Sequence, residues 1–298
     1  MLKVDDINVY VGHKKIIKTM SFKVMPGAIV GLVGPNGAGK TTIMKTILGL
    51  TKFDGQIMID DAHVTNNDHA PLADVGALIE HPAIYPFLSG LQNLELYSRD
   101  RHDMWTLIQR LQMESYIKNK AKSYSLGMKQ KLGIAIALLN HPKLVILDEP
   151  MNGLDVEATI FIRKVIKEYA DLGTAFLISS HVLSELQKVM TEVILINHGE
   201  LVIDKNVDEF NKVSRQNYKL VSEDLSEIGE LLEAEKIFFT HNGNYLEVQQ
   251  RDIYNIQDIL ATHHLHFEEL APMDANFEQI IVSLLNKQRR VENAQEFK

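Results

Sequence analysis

The chain has 298 residues, 45% hydrophobic and 23% charged, proportions that exclude a disordered or fibrous chain and leave room for one large domain and a smaller one. Its net charge of −8 lacks the basic surplus with which nucleic-acid binders neutralise phosphates, so no nucleic acid is expected as a partner. The absence of cysteine excludes disulfides, thiol catalysis and thiolate metal sites, and fits a cytoplasmic protein.

The first residues, MLKVDDINVY, carry no apolar core of a signal peptide. Leu2 to Val11 and Ile16 to Val24 show the short apolar alternation of an antiparallel strand pair, and Pro26-Gly27 marks a turn. Ala28 to Val33 is an apolar run of buried-strand length, followed by a glycine-rich loop and a helical pattern from Lys40 to Leu50. From about Asn93 to Asn140 the apolar residues Leu94, Leu107, Ile108, Leu111, Ile134, Ala137 and Leu138 recur at helix spacing, which predicts a helical subdomain over about 81–142. Leu144 to Leu147 and Ala175 to Ser179 are further buried strands, with a helix over Val156 to Asp171 between them. Strands alternating with helices predict an α/β fold with a parallel sheet, filling a domain of residues 1–212.

Beyond Phe210 the pattern weakens. Tyr218 to Val221, Lys236 to Thr240 and Tyr245 to Val248 read as strands, and Leu225 to Glu235 and Ile253 to His263 as helices, a small α+β appendage over 213–298. The tail from Asn286 is charged and expected to fray. No internal repeat is present, and no window approaches the roughly 20 apolar residues of a membrane-spanning helix, so any membrane role passes through a partner.

The loop after the third strand reads Gly34-Pro35-Asn36-Gly37-Ala38-Gly39-Lys40-Thr41. A glycine, four residues, then Gly-Lys-Thr between strand and helix is the pattern of a phosphate-binding loop, because the glycines let backbone N–H groups turn inward around phosphate oxygens at a helix N-terminus. A plain glycine-rich turn needs neither the strand before it nor the helix after it. ATP is the expected ligand, with Lys40 on its β- and γ-phosphates, the Thr41 hydroxyl on Mg²⁺ and Thr42 on a neighbouring phosphate.

Leu144 to Leu147 runs into Asp148-Glu149, which delivers two carboxylates to the carboxyl edge of a parallel sheet, where nucleotides bind. Asp148 suits the metal. Glu149, one residue further out, suits the general base for an attacking water. The run ending Ser179-Ser180-His181 brings a histidine to the same edge, where its ring can donate to the γ-phosphate or serve an ordinary structural bond.

Together with Tyr124-Ser125-Leu126-Gly127-Met128-Lys129-Gln130, these residues resemble the ATP-binding cassette (ABC) family, whose signature loop reads Leu-Ser-Gly-Gly-Gln; Ser125 and Gly127 are kept, while Tyr124, Leu126 and Met128 depart. The resemblance covers residues 1 to about 215. It implies a P-loop ATPase core with an antiparallel β subdomain and a helical subdomain, working as the nucleotide-binding subunit of a transporter with membrane permease partners. It also implies a head-to-tail homodimer, or a heterodimer with a paralogue, in which Ser125 and Gly127 of one chain close over the ATP of the other. Asn152 to Asp155 resembles the family's D-loop at the dimer seam, or forms a turn with an Asp helix cap. Glu80 falls where the family has a glutamine and keeps an oxygen for Mg²⁺ or water. The aromatic that stacks on adenine falls on Val11, with Tyr10 adjacent and either stacking or buried in its strand.

Glu80, the Tyr-Ser-Leu-Gly-Met stretch and Ile196 to Leu201 are particularly similar to the ATPases of bacitracin-resistance and lantibiotic-immunity exporters, and Phe267 to Pro272 followed by Phe277 to Ile281 resembles their closing strand and helix. Export of antimicrobial peptides is the function this implies, with the chain at the inner face of the membrane through its permease and the appendage a regulatory or dimer-supporting module. Another ABC exporter and a non-transport ABC regulatory ATPase are the alternatives.

Overall fold

The computed structural model, which describes residues 1–68, 70–214 and 217–273 and positions 280, 281 and 285, opens with β1 (Leu2–Val11) and β2 (Lys14–Val24). Then come β3 (Ile29–Val33), α1 (Lys40–Ile47), β4 (Phe53–Ile59) and the short β5 (Ala62–His63). Apolar alternation buries Leu2, Val4, Ile7 and Val9 of β1. The step from Val4 to Ile7 breaks the period of two. The ladder shifts register there and Asp6 adopts φ 50°, a bulge that keeps both apolar residues on the core side. The resulting antiparallel sheet has the order β2-β1-β4-β5.

The chain continues with β6 (Val75–Leu78), α2 (Gly90–Glu95), α3 (Arg101–Arg110), α4 (Leu126–Leu138), β7 (Leu144–Asp148), α5 (Val156–Asp171), β8 (Ala175–Ser179), α6 (Leu183–Leu186), β9 (Glu192–Asn197) and β10 (Glu200–Asn206). A six-stranded sheet takes the order β10-β9-β3-β8-β7-β6, parallel except for β10. β3, β7 and β8 are buried at every position, as strands covered on both faces must be, which is why each reads as an apolar run, closed in β7 by Asp148 and in β8 by Ser179. Their carboxyl ends put the loops at Gly34, Glu149 and Ser180 on one edge.

Two boundaries differ from the sequence pattern for local reasons. The helix expected from Lys40 to Leu50 stops at Ile47, because Gly49 N–H and Leu50 N–H fold back onto the carbonyls of Thr46 and Lys45, each at 2.9 Å. The region over 81–142 holds α2, α3 and α4 with irregular stretches between them. There the buried Asn93 amide bonds Tyr85 N, Tyr85 O and Ser89 O, pinning the loop ahead of α2.

α4 lies so close on β6 that a Cβ on Gly76 would stand 1.7 Å from the Ala137 carbonyl oxygen. Gly76→Val is therefore expected to cost about 3 kcal/mol or more, since backbone atoms must move apart. Thermal denaturation checks this, and an unchanged midpoint would show that α4 does not press on β6.

The chain divides between Asn206 and Val207 into two compact units, where the sequence places the boundary at 212. The second unit contains α7 (Val207–Ser214), β11 (Asn217–Val221), α8 (Leu225–Ala234), β12 (Phe239–Asn242), β13 (Tyr245–Gln249), α9 (Ile253–Thr262) and β14 (Glu269–Pro272). Its sheet order is β12-β13-β11-β14 with every neighbour antiparallel, so from β11 onward the unit is a split βαββαβ motif. Leu220, Leu246 and Val248 of the sheet pack against Ile228 and Leu232 of α8 and Ile256 and Leu260 of α9.

The strand expected at Lys236–Thr240 begins instead at Phe239. α8 ends in a Schellman turn, with Lys236 at φ 58°, Lys236 N–H on Glu233 O at 3.0 Å and Ile237 N–H on Leu232 O at 2.8 Å, which turns Ile237 into the core. Residues 277–279 of the expected closing helix and the tail from Asn286 lie outside the described residues. Among those described, no helix is long and apolar enough to cross a membrane.

Candidate active site

β3 ends at Val33 and the chain wraps through Gly34 to Gly39 before α1 begins at Lys40. Gly39 takes φ 108° and Gly37 φ 80°, conformations that side-chain-bearing residues avoid. No side chain caps α1, so the first-turn N–H groups face the loop. Ala38 is buried, its N–H on Pro35 O at 3.1 Å and its carbonyl accepting from Gly199 N–H at 3.0 Å, which ties the loop to the β9–β10 turn. The Lys40 ammonium lies within the ring, donating to Gly34 O at 2.7 Å and Pro35 O at 3.2 Å. Burial pushes its pKa below the usual lysine value, opposed by the carboxylates of Glu149 and Asp148.

Asp148 ends β7 and is almost fully buried. Its Oδ2 accepts from Thr41 Oγ1 at 2.7 Å and its Oδ1 from Ser179 Oγ at 2.5 Å. The next residue, Glu149, sits at φ 52°, with its N–H on Ser179 Oγ at 3.0 Å and its carbonyl accepting from Gln130 Nε2 at 3.1 Å. Glu149 Oε2 takes the His181 backbone N–H at 3.0 Å and lies 2.6 Å from His181 Nδ1. A carboxylate only accepts, so this contact places the ring proton on Nδ1 and leaves Nε2 for another partner. Ile16, Asn36, Gly37, Gly39, Lys40, Thr41, Thr42, Asp148 and Glu149 line one cleft of about 320 Å³.

Ser125, Gly127, Glu80 and Tyr10 are not in that lining. The Ser125 hydroxyl caps α4 through Met128 N–H at 3.2 Å, as its helix-start reading requires. Gly127 lies against the Asn152–Asp155 turn, where a Cβ would meet Gly153 O at 2.9 Å. Asp155 caps α5 through Ala158 N–H at 2.7 Å, which is its helix-cap reading. Glu80, at φ 59°, pairs with Lys45 of α1 at 2.7 Å, and that ammonium holds its exposed carboxyl below the usual carboxylate range. Tyr10 is not buried in its strand: its ring is half exposed, with Lys15 Nζ 5.8 Å from the centroid.

Ser179, Gln130, Lys45 and Ile16 are the site residues that sequence reasoning passes over. A polar residue closing an otherwise apolar strand was the available signal for Ser179. A buried amide in the apolar helix α4 was that for Gln130.

A family model described as ABC transporter matches residues 17–152. The chain is 30% identical over 285 residues to YhcH, an uncharacterized ABC transporter ATP-binding protein of Bacillus subtilis, with 93% of each covered. It is 35% identical over 213 residues to the lantibiotic transport ATP-binding protein SrtF of Streptococcus pyogenes, spanning 70% of this chain and 92% of SrtF. Identity to the bacitracin transport ATP-binding protein BcrA of Enterococcus faecalis is 35% over 223 residues, 72% of each. Among solved structures, an ATP binding subunit of an ABC transporter matches with a TM-score of 0.67 at 26% identity, over 72% of this chain and 92% of that one. On these likenesses the chain belongs to the ABC transporter family, as one of its ATP-binding, ATP-hydrolysing subunits.

Proposed function

We propose that this subunit is the motor of an exporter for antimicrobial peptides of bacitracin or lantibiotic type, working at the inner face of the membrane through a permease. The hydrolytic part is carried by the Glu149 carboxylate, held by the two His181 contacts beside a cleft that Lys40, Thr41 and Asp148 line. ATP lies with its β- and γ-phosphates against Lys40 and the loop N–H groups, and Thr42 on a neighbouring phosphate. Glu149 accepts the proton of the attacking water, while the His181 ring, carrying a proton on Nε2 as well as on Nδ1, donates from Nε2 to the γ-phosphate. Tyr10 offers an exposed ring for the adenine.

Mg²⁺ fits the oxygen donors present. The Thr41 hydroxyl and the Asp148 carboxylate, 2.7 Å apart, are hard ligands. Among the described residues no cluster of three or more His, Cys, Asp or Glu could cage an ion, so phosphate oxygens complete the set. When bound, the ion neutralises charge on those oxygens. Glu80, paired through Oε1 with Lys45 outside the cleft lining, keeps its second carboxylate oxygen for the ion or its water.

Ser125 and Gly127 lie outside the cleft, so in this reading they close over the ATP of a second subunit, a copy of this chain or a paralogue. Light scattering on the Glu149→Gln protein is expected to show a dimer with MgATP and a monomer with MgADP or no nucleotide. A monomer throughout would remove the pairing of two copies. The cargo rests on the likeness to SrtF and BcrA. A strain deleted for this gene is expected to become more sensitive to bacitracin or a lantibiotic, and unchanged sensitivity to both would remove peptide export.

A further inference from the structure

The Ser179 hydroxyl lies between the two carboxylate residues of the site. Ser179 closes β8 fully buried, at a position where the rest of the strand is apolar. Its single proton has one destination, because an ionised carboxylate only accepts: it goes to Asp148 Oδ1 at 2.5 Å. A lone pair then receives the Glu149 N–H at 3.0 Å, which also reaches Ser179 O at 3.2 Å.

Both contacts matter to geometry. With Oδ1 engaged, the Asp148 carboxylate turns Oδ2 to Thr41, at 2.7 Å. Glu149, at φ 52°, occupies a conformation that a non-glycine residue keeps only when its surroundings hold it. The hold comes from two sides: Ser179 grips the peptide N–H, and the buried Gln130 of α4 grips the carbonyl at 3.1 Å.

We propose that Ser179 is a positioning residue for both halves of the hydrolytic site, orienting Asp148 Oδ2 towards the metal side and setting the Glu149 backbone so that its carboxylate meets His181. Gln130 supports the second task alone. The inference rests on the roles given above to Asp148 and Glu149. An ordinary buried serine that merely satisfies its neighbours would change stability when removed, without selectively weakening metal binding.

The test compares Ser179→Ala, Ser179→Thr and Gln130→Met with Asp148→Asn and Glu149→Gln. Three quantities are measured: Mn²⁺ binding by electron paramagnetic resonance with a non-hydrolysable ATP analogue, kcat and KM for hydrolysis, and the melting midpoint. Ser179→Ala is expected to weaken Mn²⁺ binding about tenfold and to lower kcat by about tenfold or more, the range for losing a partner that orients a metal ligand. KM for ATP stays near wild type, and Ser179→Thr, which keeps the hydroxyl, restores Mn²⁺ binding. Gln130→Met lowers kcat and leaves Mn²⁺ binding unchanged.

Should Ser179→Ala not accumulate as folded protein, Ser179→Cys, close in size but a weak donor, carries the same comparison. Wild-type Mn²⁺ binding and kcat in the Ser179 variant, with Asp148→Asn and Glu149→Gln impaired, overturns the inference and leaves the roles of Asp148 and Glu149 standing. Wild-type behaviour of Asp148→Asn and Glu149→Gln overturns both.

Discussion

Glu149→Gln is expected to stop ATP turnover while leaving ATP binding intact. The amide keeps the length of the side chain and one oxygen to accept from His181, so the packing around β7 survives. It cannot take a proton from water. Loss of a positioned general base costs about 10²- to 10⁴-fold in rate, and phosphate release under saturating MgATP should fall by that factor. Nucleotide affinity, which depends on Lys40 and the loop N–H groups, should stay within about twofold, since the phosphate contacts are separate from the base. Hydrolysis close to wild type in this variant would remove Glu149 as the base and return the role to solvent or to His181.

Lys40→Ala is expected to act on binding itself. The ammonium sits inside the loop on the carbonyls of Gly34 and Pro35, facing the carboxylates across the cleft. Charge-assisted hydrogen bonds contribute about 1.5–3 kcal/mol each, so the loss of contacts to two phosphates should weaken ATP affinity by roughly 10²-fold or more. The fold should be little disturbed, because Gly34 is only partly buried and Pro35 is exposed, so solvent can replace Lys40 on their carbonyls. Equilibrium binding of a fluorescent ATP analogue, read beside a thermal melt, separates the two effects. Unchanged affinity in a folded variant would sink the phosphate-loop assignment.

Much of this site is legible in the sequence because it is local. Gly34 to Thr41 is one continuous loop, Asp148-Glu149 follows one apolar strand, and His181 follows another, so spacing alone brings them to a common edge. What escapes the sequence depends on pairs far apart in the chain. Lys45 and Glu80 are 35 residues apart, with β4, β5 and β6 between them. Ser179 and Asp148, 31 apart, meet because β7 and β8 are neighbours in register, Asp148 opposite Ser179.

The second unit shows the same limit. Helices α8 and α9 and most of its strands follow from periodicity, but α7 does not, and the order β12-β13-β11-β14 comes from pairings that no single segment announces. At Lys236 a local signal misleads: the apolar residues from Ile237 suggest a strand, while backbone bonds spend the first of them on finishing α8. β6 escapes notice for another reason. It is only four residues long, and Gly76, the residue that leaves room for α4, and Ala77 both have low strand propensity.

The ends of the six-stranded sheet also bear on how the protein behaves at high concentration. An exposed, flat strand edge is a template for unwanted chain addition and aggregation. Here one edge is β6, too short to offer a long template and packed close under α4, and the other is β10, whose last residues Asp204, Lys205 and Asn206 put charge and polarity along the margin. Neither edge of this sheet invites strand addition, so fibril-like association is not expected to start from it.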